Sequence, residues 1–107
     1  MEMINAVGRR KASVARVFLK KGKGKITINK KDIKDYMVLD NMQQEILAPL
    51  KVAELEGKYD VIVNVNGGGF KGQTEAIRLG ISRAIVKIDE EKKPALKAEG
   101  YMTRDSR

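Results

Sequence analysis

The chain has 107 residues, 42% of them hydrophobic and 34% charged, which suits one folded domain with a single modest core. It carries neither cysteine nor histidine, so disulfides, thiolate or imidazole metal sites, thiol nucleophiles and the usual proton shuttle are excluded. Its net charge of +8 and pI near 9.8 favour a polyanionic partner, because each neutralised phosphate releases counterions and adds affinity.

The apolar runs are too short for a transmembrane helix, and the first residues lack the basic start and apolar block of a signal peptide. Basic residues gather at Arg9-Arg10-Lys11 and at Lys20, Lys21, Lys23 and Lys25, while much of the acid lies between Asp32 and Glu56. This asymmetry points to a face built for an anion; a generic solvated surface is the alternative. Residues 12–20 alternate and predict a strand, preceded by a shorter one over 4–7 that ends at a Gly8-Arg9-Arg10 corner. Gly22 and Gly24 among lysines predict a loop. Residues 25–29 alternate again, so the two longer strands are expected to form an antiparallel hairpin with lysines at its tip, in contact with phosphate or with solvent.

Residues 32–37 read as a short helical turn. Asp40 is a suitable N-cap for the next helix, with Gln43 at the capping-box position. Met42, Ile46 and Leu50 share one face, and Pro49 predicts an end near Ala48, with 51–57 as a connection. The strand over 59–66 sets Tyr59, Val61, Val63 and Val65 on one face and Asp60, Ile62, Asn64 and Asn66 on the other. Its cover is an amphipathic helix of about four turns, striped by Ile77, Ile81, Ala84, Ile85 and Ile88. Arg78 and Arg83 flank that stripe, about 140° apart, and Gly80 within the helix implies close packing. A last helix over 91–99, with Pro94 in its first turn, stops at Gly100, and 101–107 reads as an extended end. The sum is an α+β fold: a mainly antiparallel sheet with helices on one face.

Between the last strand and the long helix stands Gly67-Gly68-Gly69-Phe70-Lys71-Gly72. It matches the dinucleotide pattern of spaced glycines but lacks the second strand and its ribose-binding acid, since Asp89 ends the same helix. The Gly-Lys-Ser/Thr of a nucleotide phosphate loop is missing too. Two readings remain: a row of backbone amides at a helix start that accepts a phosphate, with Lys71 and Gln73 as further donors, or tight strand-to-helix packing that requires glycine.

Several stretches together resemble one family, small-subunit ribosomal protein nine, in its bacterial or organellar form. They are Gly8-Arg-Arg-Lys-Ala-Ser-Val-Ala-Arg-Val17, Gly22-Lys-Gly-Lys-Ile-Thr-Ile-Asn29, Asn66-Gly-Gly-Gly-Phe-Lys-Gly-Gln73, Ala76-Ile-Arg-Leu-Gly-Ile-Ser-Arg-Ala-Ile85 and Thr103-Arg-Asp-Ser-Arg107. The resemblance implies one domain over 1–107, folded like the second domain of ribosomal protein five: a four-stranded sheet, helices on one face and a left-handed βαβ crossover. It implies no enzyme activity, no cofactor and no metal. The partners it implies are the 3′ major (head) domain of small-subunit rRNA, near the peptidyl-tRNA site, and neighbouring proteins of the head.

The implied RNA-binding residues are Arg9, Arg10, Lys11, Arg16, Lys20, Lys21, Lys23, Gly67, Gly68, Gly69, Lys71, Gln73, Arg78, Arg83, Arg104 and Arg107, each a cation or amide set against phosphate. Members of the family continue past the Thr103–Arg107 motif with a basic extended tail of about twenty residues that reaches the tRNA. Residues 101–107 are then the start of such a tail, and tRNA contact falls on no residue of this sequence. The location implied is the ribosome, cytoplasmic or organellar. Competing readings are a small phosphate- or nucleotide-binding enzyme that uses the Gly67–Gly72 turn, and a free-standing RNA chaperone.

Overall fold

Period-two alternation becomes strand and period-3.6 alternation becomes helix in the computed structural model, which describes residues 3–10, 12–37 and 39–102. The order is β1 (Ile4–Arg10), β2 (Ser13–Lys21), β3 (Ile26–Ile28), β4 (Lys31–Asp32), α1 (Ile33–Tyr36), α2 (Asp40–Val52), β5 (Tyr59–Asn66) and α3 (Phe70–Ile88). A 3₁₀ turn (Glu90–Lys92) and α4 (Lys93–Ala98) follow, with Pro94 in the first turn of α4 and Gly100 at φ 83° just past its end.

The strands form one sheet in the order β1-β2-β5-β3-β4. Three of its pairings are antiparallel and β3–β5 is parallel. The α+β class holds, with five strands instead of four. The expected hairpin of β2 with β3 does not form, because β5 lies between them. β2 runs beside β5 from Val14↔Asn66 to Lys21↔Tyr59, whereas β3 reaches β5 on its other edge through only Ile26↔Val61 to Ile28↔Val63. The long ladder pairs many more backbone groups than the short β3 could offer β2.

On the inner face Ala15, Val17, Leu19, Ile26, Ile28, Val61, Val63 and Val65 are buried. α3 lies across β1 and β2, and α2 packs beside α3. Ile77, Ile81, Ala84 and Ile85 are wholly buried, and each isoleucine contributes about 1.5–3 kcal/mol. With 19 residues α3 makes about five turns, one more than its stripe predicts.

β1 does not end at Val7 but continues through Gly8 to Arg10. Gly8 is no corner; it is the point where strand and helix touch. A Cβ there would stand 2.0 Å from the Ala76 carbonyl oxygen and 2.5 Å from the Gly80 nitrogen. A Cβ on Gly80 would in turn stand 2.7 Å from Val17 Cγ2, which explains a glycine in mid-helix. β1 is an edge strand, and α3 closes that edge: Arg83 Nη1 donates to the Val7 carbonyl oxygen at 2.8 Å and Lys87 Nζ to that of Asn5 at 2.6 Å.

α2 differs from expectation at both ends. Leu39 is its N-cap and Asp40 its first residue, so Gln43 does not complete a capping box. The Gln43 side chain donates instead, through Nε2, to the Met37 carbonyl oxygen at 2.6 Å. The helix also runs past Pro49 to Val52. Proline removes one backbone donor, but buried Ile46, Leu50 and Ala53 hold the next turn in place, and the Ala53 amide donates to the Pro49 carbonyl oxygen at 3.0 Å.

Candidate nucleic-acid interface

The nine residues of β2 place its two ends about 26 Å apart. At one end lie Gly67–Gly69 and the start of α3; at the other lies the lysine loop of residues 21–25. Between them is the sheet face that none of the described helices covers. Register puts Arg9 beside Val14 and Val14 beside Asn66, then Val7 beside Arg16 and Arg16 beside Asn64, with Phe18 beside Ile62. Arg9, Arg16 and Lys20 therefore stand on one open face, where a depression of about 440 Å³ is lined by Arg9, Arg16, Asn29, Asn64 and Asn66.

At the glycine corner the three glycines differ. Gly67 and Gly68 have φ of 83° and 64°, which side chains rarely adopt. A Cβ would meet the Ala12 carbonyl oxygen at 2.1 Å in the first case and Ser13 Oγ at 2.4 Å in the second. Packing thus accounts for both. Gly69 has φ −94°, is exposed, and would offer an added Cβ no neighbour within 4 Å.

A hydrogen-bonded chain fixes this corner. Asn29 Nδ2 donates to the Tyr36 hydroxyl at 3.3 Å, which donates to Gln73 Oε1 at 2.8 Å, and Gln73 Nε2 donates to the Gly67 carbonyl oxygen at 3.1 Å. Gln73 is consequently buried, at 8% exposure, with both ends of its amide engaged inside the fold. Phe70 and Lys71 are exposed, and the first turn of α3 has neither a carboxylate nor a side-chain cap.

One carboxylate organises the opposite end. Asp60 Oδ1 accepts from the amides of Lys23, Gly24 and Lys25 at 3.0, 3.1 and 3.0 Å, and a Cβ on Gly22 would stand 2.2 Å from Asp60 Cγ. The loop between β2 and β3 thus crosses the end of β5 wrapped around this acid. The Lys25 amide is the main reason that the Asp60 carboxyl titrates below its ordinary value of 3.8. Partial burial opposes it, and the Lys23 and Gly24 amides and the Lys20 charge assist.

A lowered folded-state pKa gives stability that is present above 3.8 and is lost as pH falls through the folded value. On acidification the amide resonances of Lys23, Gly24 and Lys25 should move together with a midpoint below 3.8. Asp60→Ala should expose the same amides to rapid hydrogen exchange at neutral pH while the core stays protected. Unchanged exchange there would show that the carboxylate is not the anchor.

The other basic side chains divide into two groups. Arg10 Nε pairs with Glu75 at 2.7 Å, and Arg78 Nη1 pairs with Glu45 at 2.6 Å while its guanidinium lies 4.9 Å from the Tyr101 ring centre. Arg83 is held by the Val7 carbonyl. By contrast, among the described residues Arg9, Arg16, Lys21, Lys23 and Lys71 form no ion pair, and all five are exposed. Lys11, Arg104 and Arg107 lie outside the described residues. Among those described there is no cluster suited to a metal ion and no helix long and apolar enough to cross a membrane.

The profile of the family described as ribosomal protein S9/S16 matches residues 8–107. The chain belongs to this ribosomal protein family. Among similar proteins, the small ribosomal subunit protein uS9 of Porphyromonas gingivalis is 53% identical over 107 residues, a match covering 100% of this chain and 84% of that protein. Those of Phocaeicola vulgatus and Cytophaga hutchinsonii are 55% and 54% identical with the same coverage. A protein of this ribosomal family is structural and not an enzyme, so catalysis at the Gly67–Gly72 turn falls away.

Within this ribosomal protein three organising residues were missed by sequence reasoning: Asn29, Tyr36 and Asp60. Asn29 has φ 51°, and its side chain bonds both the amide and the carbonyl of Val65 at 2.9 Å, which extends the β3–β5 ladder after the backbone has turned away. Asp60 did leave a signal, as an acid on the polar side of a strand whose neighbours are lysines.

Proposed function

We infer that the chain is a component of the small ribosomal subunit that binds the head domain of its rRNA, near the peptidyl-tRNA site and beside neighbouring proteins of the head. Its place is then the ribosome, cytoplasmic or organellar. The observation that carries this reading is that Arg9, Arg16, Lys21, Lys23 and Lys71, on and at the two ends of the open sheet face, are exposed and have no carboxylate partner among the described residues. Such cations raise the self-repulsion of the folded protein and find their partner in phosphate. Binding to a transcribed head-domain RNA should fall steeply with salt, and affinity that is constant between about 50 and 200 mM would overturn the reading.

Gly69 supplies a sharper test. Among the described residues no atom lies within 4 Å of a Cβ added there, and the N-cap preference for glycine is small, so we assign its lack of a side chain to an RNA backbone passing against its Cα. Gly69→Ala should cost the protein less than about 1 kcal/mol of stability, the usual difference at an N-cap. The same methyl group should weaken binding of head-domain RNA by about tenfold, on the order of one lost charge-assisted contact. Wild-type affinity in this variant would mean that RNA does not approach the corner.

A further inference from the structure

Phe70 is 52% exposed, and among the described residues only Met3 and Leu39 leave as large an apolar side chain in water. It is the first residue of α3, with Gly69 before it and exposed Lys71 after it. The ring is nevertheless held. Tyr36 meets it edge-to-face, with centroids 5.7 Å apart and planes at 82°. Tyr36 is itself fixed, since its hydroxyl lies between Asn29 and Gln73 in the chain of bonds that holds the glycine corner. The ring is therefore oriented by its neighbours and still half open to solvent.

An oriented, half-exposed aromatic ring beside a cation that has no ion pair among the described residues has a specific chemical complement. A dry protein contact would need further apolar neighbours, and here the flanking residues are Gly69 and Lys71. Paired bases in an RNA duplex are stacked on one another and do not offer their faces; unpaired bases do, and they stack on aromatic side chains while a nearby cation takes the phosphate. We propose that Phe70 is a stacking platform for one unpaired rRNA base, with Lys71 on the phosphate of that or the adjoining nucleotide. The assignment rests on the rRNA-binding reading above and gives its glycine corner a ligand class: a bulged or looped nucleotide.

The test compares Phe70→Ala, Phe70→Leu and Phe70→Tyr in binding to transcribed head-domain RNA, at fixed salt and across a salt series, with melting temperature as the folding control. Phe70→Ala should lose about 5- to 150-fold in affinity. Phe70→Leu keeps apolar bulk without a π face and should lose most of the same factor, whereas Phe70→Tyr should bind within about threefold of wild type. The slope of log affinity against log salt should stay as in wild type, because no phosphate contact is removed. Wild-type binding by Phe70→Leu would overturn the stacking role, and so would a flattened slope, which would mean that the change acts through Lys71 or Gly69. Those results leave the rRNA reading standing; failure of the unaltered protein to bind head-domain RNA would remove both.

Discussion

Gly8→Ala should lower stability by roughly 3 kcal/mol, near the upper end of ordinary overpacking, and the melting temperature by about 12–24 °C. The added methyl would stand 2.0 Å from the Ala76 carbonyl oxygen and 2.5 Å from the Gly80 nitrogen, and both are backbone atoms. No rotamer relieves such a contact, so either β1 or α3 must move. α3 cannot move freely, since it carries buried Ile77, Ile81 and Ile85 and is tied to the outer edge of β1 by Arg83 and Lys87. Gly80→Ala should be milder. Its nearest obstacle is Val17 Cγ2 at 2.7 Å, a side-chain atom, and alanine returns up to about 1 kcal/mol of helix propensity. Thermal denaturation of the two variants checks the ranking, and a Gly8→Ala protein that melts no lower than Gly80→Ala would show that β1 slides away from the helix at little cost.

That pair of glycines also marks where sequence reasoning succeeded and where it stopped. The Ile77–Ile81–Ile85 stripe is a local periodic signal that survives any tertiary arrangement, so α3 and the need for a close neighbour at Gly80 could both be read directly. That the neighbour is Gly8 could not, because a glycine that fits against a helix and a glycine that makes a corner leave the same letter. Strand order was hidden for a related reason. β2 and β3 are adjacent in the chain and both alternate, but pairing goes to the longest compatible edge, and β5 arrives only at Tyr59.

The candidate site was legible in its cations and not in their partners. Arg16 follows from alternation along β2, and Arg9 from the basic cluster expected at a corner, which lies in β1. Whether an arginine faces outward or meets an acceptor inside the fold depends on residues 65, 33 and 76 positions away for Arg10, Arg78 and Arg83, which no local pattern reports. Phe70 was passed over because one aromatic residue in a glycine-rich run carries no period at all.

The largest functional effect should come from combining Arg9→Gln, Arg16→Gln and Lys71→Gln. None of the three side chains has an ion pair within the described fold, so their loss should change stability by no more than about 0.5 kcal/mol each. Glutamine keeps much of each side chain's stem against the sheet or helix and removes only the charge. If each cation neutralises one phosphate, each releases about 0.7–0.9 counterion, worth a factor of about four to five at 0.15 M salt. The triple variant should thus bind head-domain RNA about 100-fold more weakly, with a log–log salt slope flatter by about 2–3.

The complementary set, Arg10→Gln, Arg78→Gln and Arg83→Gln, should give the opposite signature. It strips partners from Glu75, Glu45 and the Val7 carbonyl, so about 2 kcal/mol of stability should go while the salt slope changes little. If the first set destabilises the protein and leaves the slope intact, the open face of the sheet is structural and the RNA lies elsewhere. If instead the second set flattens the slope, the arginines engaged inside the fold exchange their intramolecular acceptors for phosphate on binding.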